Sequence, residues 1–252
     1  MKIFACYSIK GGVGKTALAV NLAYHLREAG KRTLLIDLDP QCAAAFYFRI
    51  APAAKFAPDA SDKLGTDWVY ENIKESDYPG LDILPSNLEY RHFDLQLAEM
   101  KKPRKQLRKT LRRLDDHYDA IVLDCPPNIT LLSENIFRAA TAILVPVIPT
   151  TLSARTLHQL NDFFQSEDLD KSRIWPFFSM VQNSKRLHRD LIEELRQTFP
   201  RFLKTEIPFS VDVENMGVHR KPLLAEAARQ SSAEAYRSLC QEIITLDVQA
   251  HG

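Results

Sequence analysis

A glycine-rich turn between a short apolar run and a leucine-periodic run dictates how the start of this chain folds. Residues 3–7 are apolar or aromatic, which predicts a short buried strand. Leucines recur every four residues across 15–27, which predicts a helix that Gly30 ends. The turn between them, residues 10–16, reads Lys-Gly-Gly-Val-Gly-Lys-Thr. A strand, a glycine loop and a helix in this order predict a phosphate-binding cradle.

Each polar or flexible position of this loop has a predicted task. Gly11, Gly12 and Gly14 let the backbone curl until several N–H groups point at one anion, and the helix N-terminus adds partial positive charge. Lys15 is placed to reach the outer phosphates, and the Thr16 hydroxyl is placed to bind Mg²⁺.

The loop departs from the standard pattern at its beginning. Ile9 stands where G-x-x-x-x-G-K-[ST] requires its first glycine, and Lys10 adds a second lysine at the mouth. The plain alternative is a glycine-rich turn with a solvated lysine. The position of the loop between a strand and a helix favours the phosphate site.

Two further apolar runs end in carboxylates. Residues 33–41 form a predicted strand that ends in Asp37 and Asp39, and residues 118–124 form another that ends in Asp124. Ligands collect at the carboxyl ends of parallel strands, so these acids are expected beside the glycine loop. Asp37 or Asp39 could position water or support Mg²⁺, and either could simply cap the next segment. Asp124 is predicted to bind Mg²⁺ through water.

The alternation of strands and helices predicts the fold class, α/β with a mostly parallel twisted sheet and helices on both faces, within a single domain over 1–252. Residues 50–80 read as a surface excursion with a short helix near 68–73. The remaining predicted elements are strands at 81–87, 142–149, 175–181 and 202–207 and helices at 153–166, 186–198 and 233–246. In the helix at 186–198 the expected outer residues are Arg186, Arg189 and Arg196, and the expected inner residues are Leu187, Leu191 and Leu195.

Composition excludes several classes of protein. The net charge of +1 gives no bulk attraction to nucleic acid, so a basic footprint must be local. No apolar run approaches about 18 residues, and the N-terminus enters a strand without a signal peptide, so a cytoplasmic protein is expected. The cysteines lack metal or disulfide spacing and are expected to be reduced, at Cys6, Cys42, Cys125 and Cys240.

A local basic footprint does occur, on a helix predicted at about 103–115. Leu107, Leu111 and Leu114 share one face of that helix. The cationic face could bind a phosphate backbone or could simply be solvated. Its bases are Lys101, Lys102, Arg104, Lys105, Arg108, Lys109, Arg112 and Arg113.

Three separated motifs, at 10–16, 37–41 and 124–127, together resemble the ParA/MinD family of deviant Walker ATPases, and its ParA branch in particular. The resemblance continues through Ile207-Pro208, Lys221-Pro222 and 233–236, and leaves out about 43–80.

The resemblance implies ATP and Mg²⁺ as cofactors and gives the residues their roles. Lys10 corresponds to the signature lysine that reaches a partner's nucleotide, and Lys15 to the phosphate lysine. Asp39 corresponds to the switch I acid that positions water, with possible metal contact, so Lys10, Lys15 and Asp39 are the expected catalytic residues. Thr16 and, through water, Asp124 correspond to the Mg²⁺ site. The other expected nucleotide contacts are Gly11, Gly12, Val13, Gly14, Ala17 and the adenine-reading Asn183.

The resemblance also implies partners: a homodimer with ATP, non-specific DNA at the nucleoid, and a ParB-like or other small activating protein. The cargo would be a plasmid, a chromosome region or a protein assembly. Two departures bear on this, because Cys42–Ala45 replaces the family's Gly-Asn-Ala-Thr and the neutral-to-acidic 209–214 replaces a basic segment. The expected DNA contacts are therefore elsewhere, at Lys185, Arg186, Arg189, Arg220, Lys221, Arg108 and Arg112.

Other readings stay open. A MinD-like membrane-surface ATPase would need a basic amphipathic C-terminal helix, and the tail 245–252 lacks Lys and Arg, so no membrane is expected. A weakly hydrolysing, nucleotide-dependent scaffold is consistent with the altered switch I. A redox role like that of nitrogenase iron proteins would rest on Cys125 alone.

Overall fold

The computed structural model describes residues 1–53, 66–226 and 231–247. Part of the predicted surface excursion and the end of the tail, 248–252, lie outside the described residues. Within them the strands form one sheet in the order β3-β4-β2-β5-β1-β6-β7. Their bounds are β1 Lys2–Cys6, β2 Thr33–Asp37, β3 Lys74–Glu75, β4 Leu81–Leu84, β5 Ala120–Asp124, β6 Ala142–Val147 and β7 Ile174–Phe178.

The sheet is parallel apart from β3, which pairs antiparallel with β4 at one edge. Helices cover both faces, as the alternating pattern predicts. Their bounds are α1 Lys15–Glu28, α2 Ala43–Tyr47, α3 Thr66–Asn72, α4 Phe93–Glu99, α5 Gln106–Leu111, α6 Leu131–Ala139, α7 Thr151–Ser166, α8 Arg186–Thr198, α9 Val211–His219 and α10 Ser231–Ile244.

Side chains alternate between two hydrophobic cores, one on each face of the sheet. On β1, Ile3 and Ala5 join the core under α3–α8, whereas Phe4 and Cys6 join the core under α1, α2, α9 and α10. The same alternation runs along β2 and β5, because successive residues of a strand point to opposite faces. The central strands are thus buried on both faces of the sheet. The two cores hold these strands, and with them their carboxyl ends, in fixed positions.

The final strand predicted at 202–207 is wrong. Leu203 and Ile207 donate backbone hydrogen bonds to the carbonyls of Pro176 and Phe178, both at 2.8 Å. The N–H groups of Lys204 and Thr205, between them, donate instead to the Glu242 carboxylate. No continuous ladder can form across that interruption, and what remains is an isolated bridge from Val181 to Pro208.

Two helix predictions also need correction. Leu187 is 51% exposed, because the first turn of α8 turns His188 inward instead, where its Nδ1 accepts the Gln182 N–H at 3.2 Å. The helix expected at 103–115 is α-helical only over α5, with 3-10 turns before and after it. The N–H of Leu107 donates to the side chain of Asn135 at 3.2 Å, which delays the start of the α-helical ladder.

The described residues contain no helix with the length and apolar character needed to cross a bilayer. Cys6, Cys125 and Cys240 are buried, as small core thiols are expected to be. Burial raises the pKa of all three thiols.

Candidate functional site

The glycine loop and the strand-end carboxylates meet at one edge of the sheet, as their sequence positions predict. β1, β2 and β5 are neighbours, and Asp124 lies in register with both Asp37 on β2 and Cys6 on β1. The loop leaves β1 immediately after Cys6. A phosphate cradle and a set of acids therefore share the carboxyl edge, where open α/β sheets bind ligands.

The loop has the backbone geometry of an anion cradle. Gly12 and Gly14 have φ of 69° and 99°, values that L side chains rarely adopt. Gly14 is the N-cap of α1 and no side chain caps that helix, so the N–H groups of its first turn remain available to an anion. A Cβ added at Gly11 or Gly12 would meet nothing within 4 Å, which shows that the loop faces open space.

Replacing Gly14 by alanine is expected to destabilise the ligand-free protein by about 1–2 kcal/mol, the usual cost of a left-handed residue with a Cβ. The new Cβ would also lie 3.1 Å from Ser179 Oγ. Gly11→Ala is the matched control, because it has open space and no positive φ. Urea unfolding of both variants measures the difference. Equal free energies of unfolding would contradict the assignment of backbone strain to Gly14.

Lys15 is buried below the loop, where the charge of Asp124 acts on it without a direct ion pair within the described residues. The Lys15 Nζ donates to the Lys10 carbonyl at 3.3 Å. Burial lowers the pKa of Lys15, and the negative charge of Asp124 opposes that shift. Lys15 thus lies in a desolvated position, where its charge acts strongly on any phosphate in the loop.

Asp124 is a buried carboxylate without a donor. It is fully buried, and neither carboxylate oxygen has a hydrogen-bond partner within the described residues. Burial and then the charge of Asp37 raise its pKa, while the hydroxyl of Thr16 and the ammonium of Lys15 oppose the rise. Native proteins rarely leave such a group unpaired unless an ion or water satisfies it. This orphaned carboxylate next to a threonine hydroxyl fits a hydrated Mg²⁺, which prefers oxygen ligands and retains water.

The two acids at the end of β2 have different environments. Asp37 is fully buried and accepts the N–H groups of Asp39 at 3.1 Å and Ala45 at 3.2 Å, so it holds the start of α2. Burial raises the pKa of Asp37 to about 7. Asp39 is only half-buried and accepts the Gln41 N–H at 3.0 Å. The capping role left open by the sequence therefore belongs to Asp37, and Asp39 is the more accessible acid.

Cys42 occupies a position that suits glycine. Its φ is 53°, in the left-handed region that glycine adopts most easily, and the family resemblance implies glycine at this position. The Ser86 hydroxyl contacts the Cys42 thiol at 3.1 Å and donates to the Asp39 carbonyl. Ser86 thus holds the turn between Asp39 and Cys42 in place, although this turn has a cysteine at its left-handed position.

Lys10 takes no part in holding its own loop together through its side chain. Its Nζ lies 3.4 Å from the Ser153 Oγ at the start of α7, and its backbone carbonyl accepts from Lys15. A half-buried lysine with one weak contact can be redirected at little cost. The second lysine of the motif is therefore available for a partner.

Three residues of the site have no signal in the sequence. Ser153 contacts Lys10 from 143 positions away, and Ser179 closes over Gly14. His188 fixes the exposed turn that carries Asn183, and burial lowers its pKa, which keeps Nδ1 free to accept the Gln182 N–H. Long-range packing brings Ser153 and Ser179 to the loop, whereas His188 acts on a turn six residues before it.

The basic residues expected to contact DNA lie in two places, and of the five within 185–221 all but Lys185 have partners among the described residues. Arg186 pairs with Asp190 at 3.4 Å, and Arg189 donates to the Asn183 carbonyl. The Arg220 guanidinium lies 4.5 Å from the centre of the Phe46 ring and donates to the Phe46 carbonyl. Lys221 pairs with Glu226 at 3.1 Å. Arg108 and Arg112 belong to the separate basic segment around α5.

Comparison with known proteins agrees with this architecture. An AAA domain family matches residues 1–172. Over 250 residues the chain is 30% identical to the sporulation initiation inhibitor protein Soj of Bacillus subtilis (strain 168), a match that covers 96% of this chain and 98% of Soj. The chain belongs to the ParA/MinD family of P-loop ATPases.

Two further comparisons extend the match, one in sequence and one in fold. The chromosome partitioning protein ParA of Myxococcus xanthus is 27% identical over 254 residues, covering 98% of this chain and 89% of that protein. The crystal structure of cobyrinic acid a,c-diamide synthase from Mycobacterium smegmatis, with bound ATP analog and magnesium, superposes with a TM-score of 0.77. At 23% identity over 97% of this chain and 94% of that chain, this last similarity establishes the fold alone.

Proposed function

We propose that this ParA/MinD family member is an ATPase that binds ATP with Mg²⁺, pairs with a second copy of itself, and partitions or positions a cargo. The cargo is a plasmid, a chromosome region or a protein assembly, and the ATP-bound pair binds DNA without sequence preference at the nucleoid. Hydrolysis is slow and is stimulated by a small partner protein of the ParB kind. The relatedness to Soj and to a chromosome partitioning ParA supports this role.

The residues of the carboxyl edge divide the chemistry among them. The N–H groups of Gly11 to Ala17 bind phosphate oxygens, and Lys15 neutralises their charge. Thr16 and Asp124 are the residues that would hold Mg²⁺, Asp124 through water, and the ion would neutralise charge on the phosphates. Asp39, the accessible acid, orients water, and Asn183 reads the base from the turn that His188 fixes.

The observation that carries the proposal is the position of Lys10. Lys15 already serves the loop from within, and among the described residues the Lys10 side chain has one hydrogen bond, to Ser153 at 3.4 Å, so it is free to act outside its own subunit. Two triphosphates facing each other repel, and a lysine from each copy offsets that repulsion only when the copies meet. Loss of the γ-phosphate removes the contact that favours pairing.

Light scattering of the purified protein tests this proposal. With Mg²⁺ and a non-hydrolysable ATP analogue, the mass is expected to double from the 28.7 kDa of one chain. ADP or chelation of Mg²⁺ is expected to restore the single chain. A mass of one chain under all conditions would contradict the proposal.

ATP turnover separates the proposal from its alternatives. A weakly hydrolysing scaffold would pair with ATP yet show no turnover, even with its partner protein present. A MinD-like membrane-surface ATPase would sediment with lipid vesicles in the presence of ATP. We favour the DNA-bound form, because basic side chains around α5, among them Lys105, Arg108 and Lys109, lie together on one surface that could contact phosphates.

A further inference from the structure

A concave surface lined almost entirely by cations lies on the outer side of α5. We call it the basic groove. It encloses about 620 Å³, and no acidic residue lines it among the described residues. The residues that line it are Lys101, Lys102, Lys105, Gln106, Arg108, Lys109 and Arg112.

We propose that the basic groove, and not the basic residues beyond 185, is the surface on which this chain binds the phosphate backbone of duplex DNA. This assignment rests on the proposed function, which requires DNA binding but does not place it. It also agrees with the neutral-to-acidic composition of 209–214, which would not attract phosphates.

Four of the cations in the groove are not neutralised by an acid of the described residues. Within the described residues no ion pair involves Lys102, Lys105, Arg108 or Lys109, whereas Arg186 and Lys221 each pair with an acid. Burial lowers the pKa of Arg108, and the positive charges of Arg112 and Arg173 lower it further. A row of phosphates would relieve this repulsion, which is the electrostatic condition for non-specific binding.

The side chains in the groove favour duplex DNA over other polyanions. Leu107, Leu111 and Leu114 are buried in the core, so the groove presents no large apolar side chain that could enter a bilayer. It also presents no aromatic ring on which unpaired bases could stack. Lysine and arginine heads on flexible stems suit a regular phosphate backbone read without regard to sequence.

No lining residue of the groove belongs to the glycine loop or to the strand-end acids. The turn that precedes α5 bonds to the middle of α6, where the Asn135 side chain donates to the Pro103 carbonyl at 2.8 Å. The chain after α5 reaches Asp115, whose carboxylate pairs with the N-terminal amine of Met1 at 2.9 Å, at the amino edge of the sheet. The groove is therefore present in a single chain, and nucleotide does not build it.

ATP dependence then follows from pairing. A single groove binds weakly, and two grooves on one pair act together on the same duplex, which raises apparent affinity without any new contact. ATP thus controls DNA binding by controlling the number of linked grooves.

The experiment measures binding of a random-sequence duplex with the ATP analogue and Mg²⁺ across a salt series. Lys105→Ala/Lys109→Ala is expected to weaken binding at least about tenfold and to flatten the slope of log K against log salt by about 0.9 per lost phosphate contact. Lys105→Arg/Lys109→Arg keeps the charge and is expected to retain wild-type affinity. Lys185→Ala/Arg186→Ala removes the same charge elsewhere and is expected to retain it too.

Each other outcome contradicts a defined part of the account. If wild type binds and the groove variant binds equally, or if only Lys185→Ala/Arg186→Ala weakens binding, the groove assignment is overturned while the proposed function stands. If paired wild type binds no duplex at low salt, the DNA part of the proposed function fails and the groove assignment with it. Retention on phosphatidylglycerol vesicles without DNA binding would overturn the groove's assignment to DNA. A melting temperature at or above that of wild type verifies that the groove variant folds.

Discussion

Replacing Lys10 by alanine is expected to abolish ATP-driven pairing and to lower ATP turnover at least about a hundredfold, the scale of losing one charged group that contacts the transferring phosphoryl group. The variant is expected to fold normally, because the side chain makes one weak contact, to Ser153 Oγ at 3.4 Å. Light scattering with the ATP analogue and a phosphate-release assay measure the two losses.

Lys31→Ala is the matched control for this variant, since Lys31 is an exposed lysine beyond the end of α1. It is expected to pair and turn over ATP as wild type does. Normal pairing by the Lys10 variant would show that the second lysine is not the bridge between copies.

Replacing Asp124 by asparagine is expected to change stability and activity in opposite directions. No group of the described residues donates a hydrogen bond to the buried Asp124 carboxylate, so removing its charge is expected to raise the free energy of unfolding by about 1–3 kcal/mol near pH 8. ATP turnover is expected to fall at least about a hundredfold, because the neutral amide is a poor substitute in the Mg²⁺ site. Thermal melting in EDTA and a turnover assay with Mg²⁺ measure both effects.

The stability gain has a defined pH dependence. The pKa of Asp124 is raised in the folded protein, so ionisation of Asp124 lowers the free energy of unfolding. This loss grows as the pH rises above the unfolded pKa of about 4 and vanishes below it. The gain from Asp124→Asn is therefore expected to shrink towards acid pH. Asp119→Asn is the contrast, because Arg32 lowers the pKa of Asp119 and its loss is expected to destabilise. An Asp124→Asn protein that melts below wild type and still hydrolyses ATP would contradict both the expected gain in stability and the expected loss of turnover.

Local patterns in the sequence predict the parts of the fold that short-range physics decides. The strand, glycine loop and α1 follow from apolar runs and glycines within one stretch of the chain, and the acids follow from the rule that carboxyl ends of parallel strands share an edge. Asp37 and Asp124 accordingly lie in register on adjacent strands. The buried leucines of α5 follow from helical spacing in the same way.

Tertiary contacts decide the parts that were not predicted. The Glu242 carboxylate, on α10, takes the N–H groups that a strand at 202–207 would need. His188 takes the inward position that helical spacing gives to Leu187, because the N–H of Gln182 requires an acceptor there. α9 and its capping Ser210 lie in a stretch whose composition alone reads only as neutral to acidic. Likewise, no spacing rule links Lys10 to Ser153 across 143 residues.

Mixing two inactive variants tests most directly whether Lys10 acts on the nucleotide of a second copy. Lys10→Ala keeps its own Asp39, and Asp39→Ala keeps a Lys10 to lend, so each variant alone is expected to be inactive. A mixed pair keeps one Lys10 bridge and one complete site, so an equimolar mixture is expected to regain turnover, up to about a quarter of wild type if pairing is random. If light scattering shows that mixed pairs form and the mixture is as inactive as its components, Lys10 serves its own subunit, and the account of a nucleotide-bridged pair would be wrong.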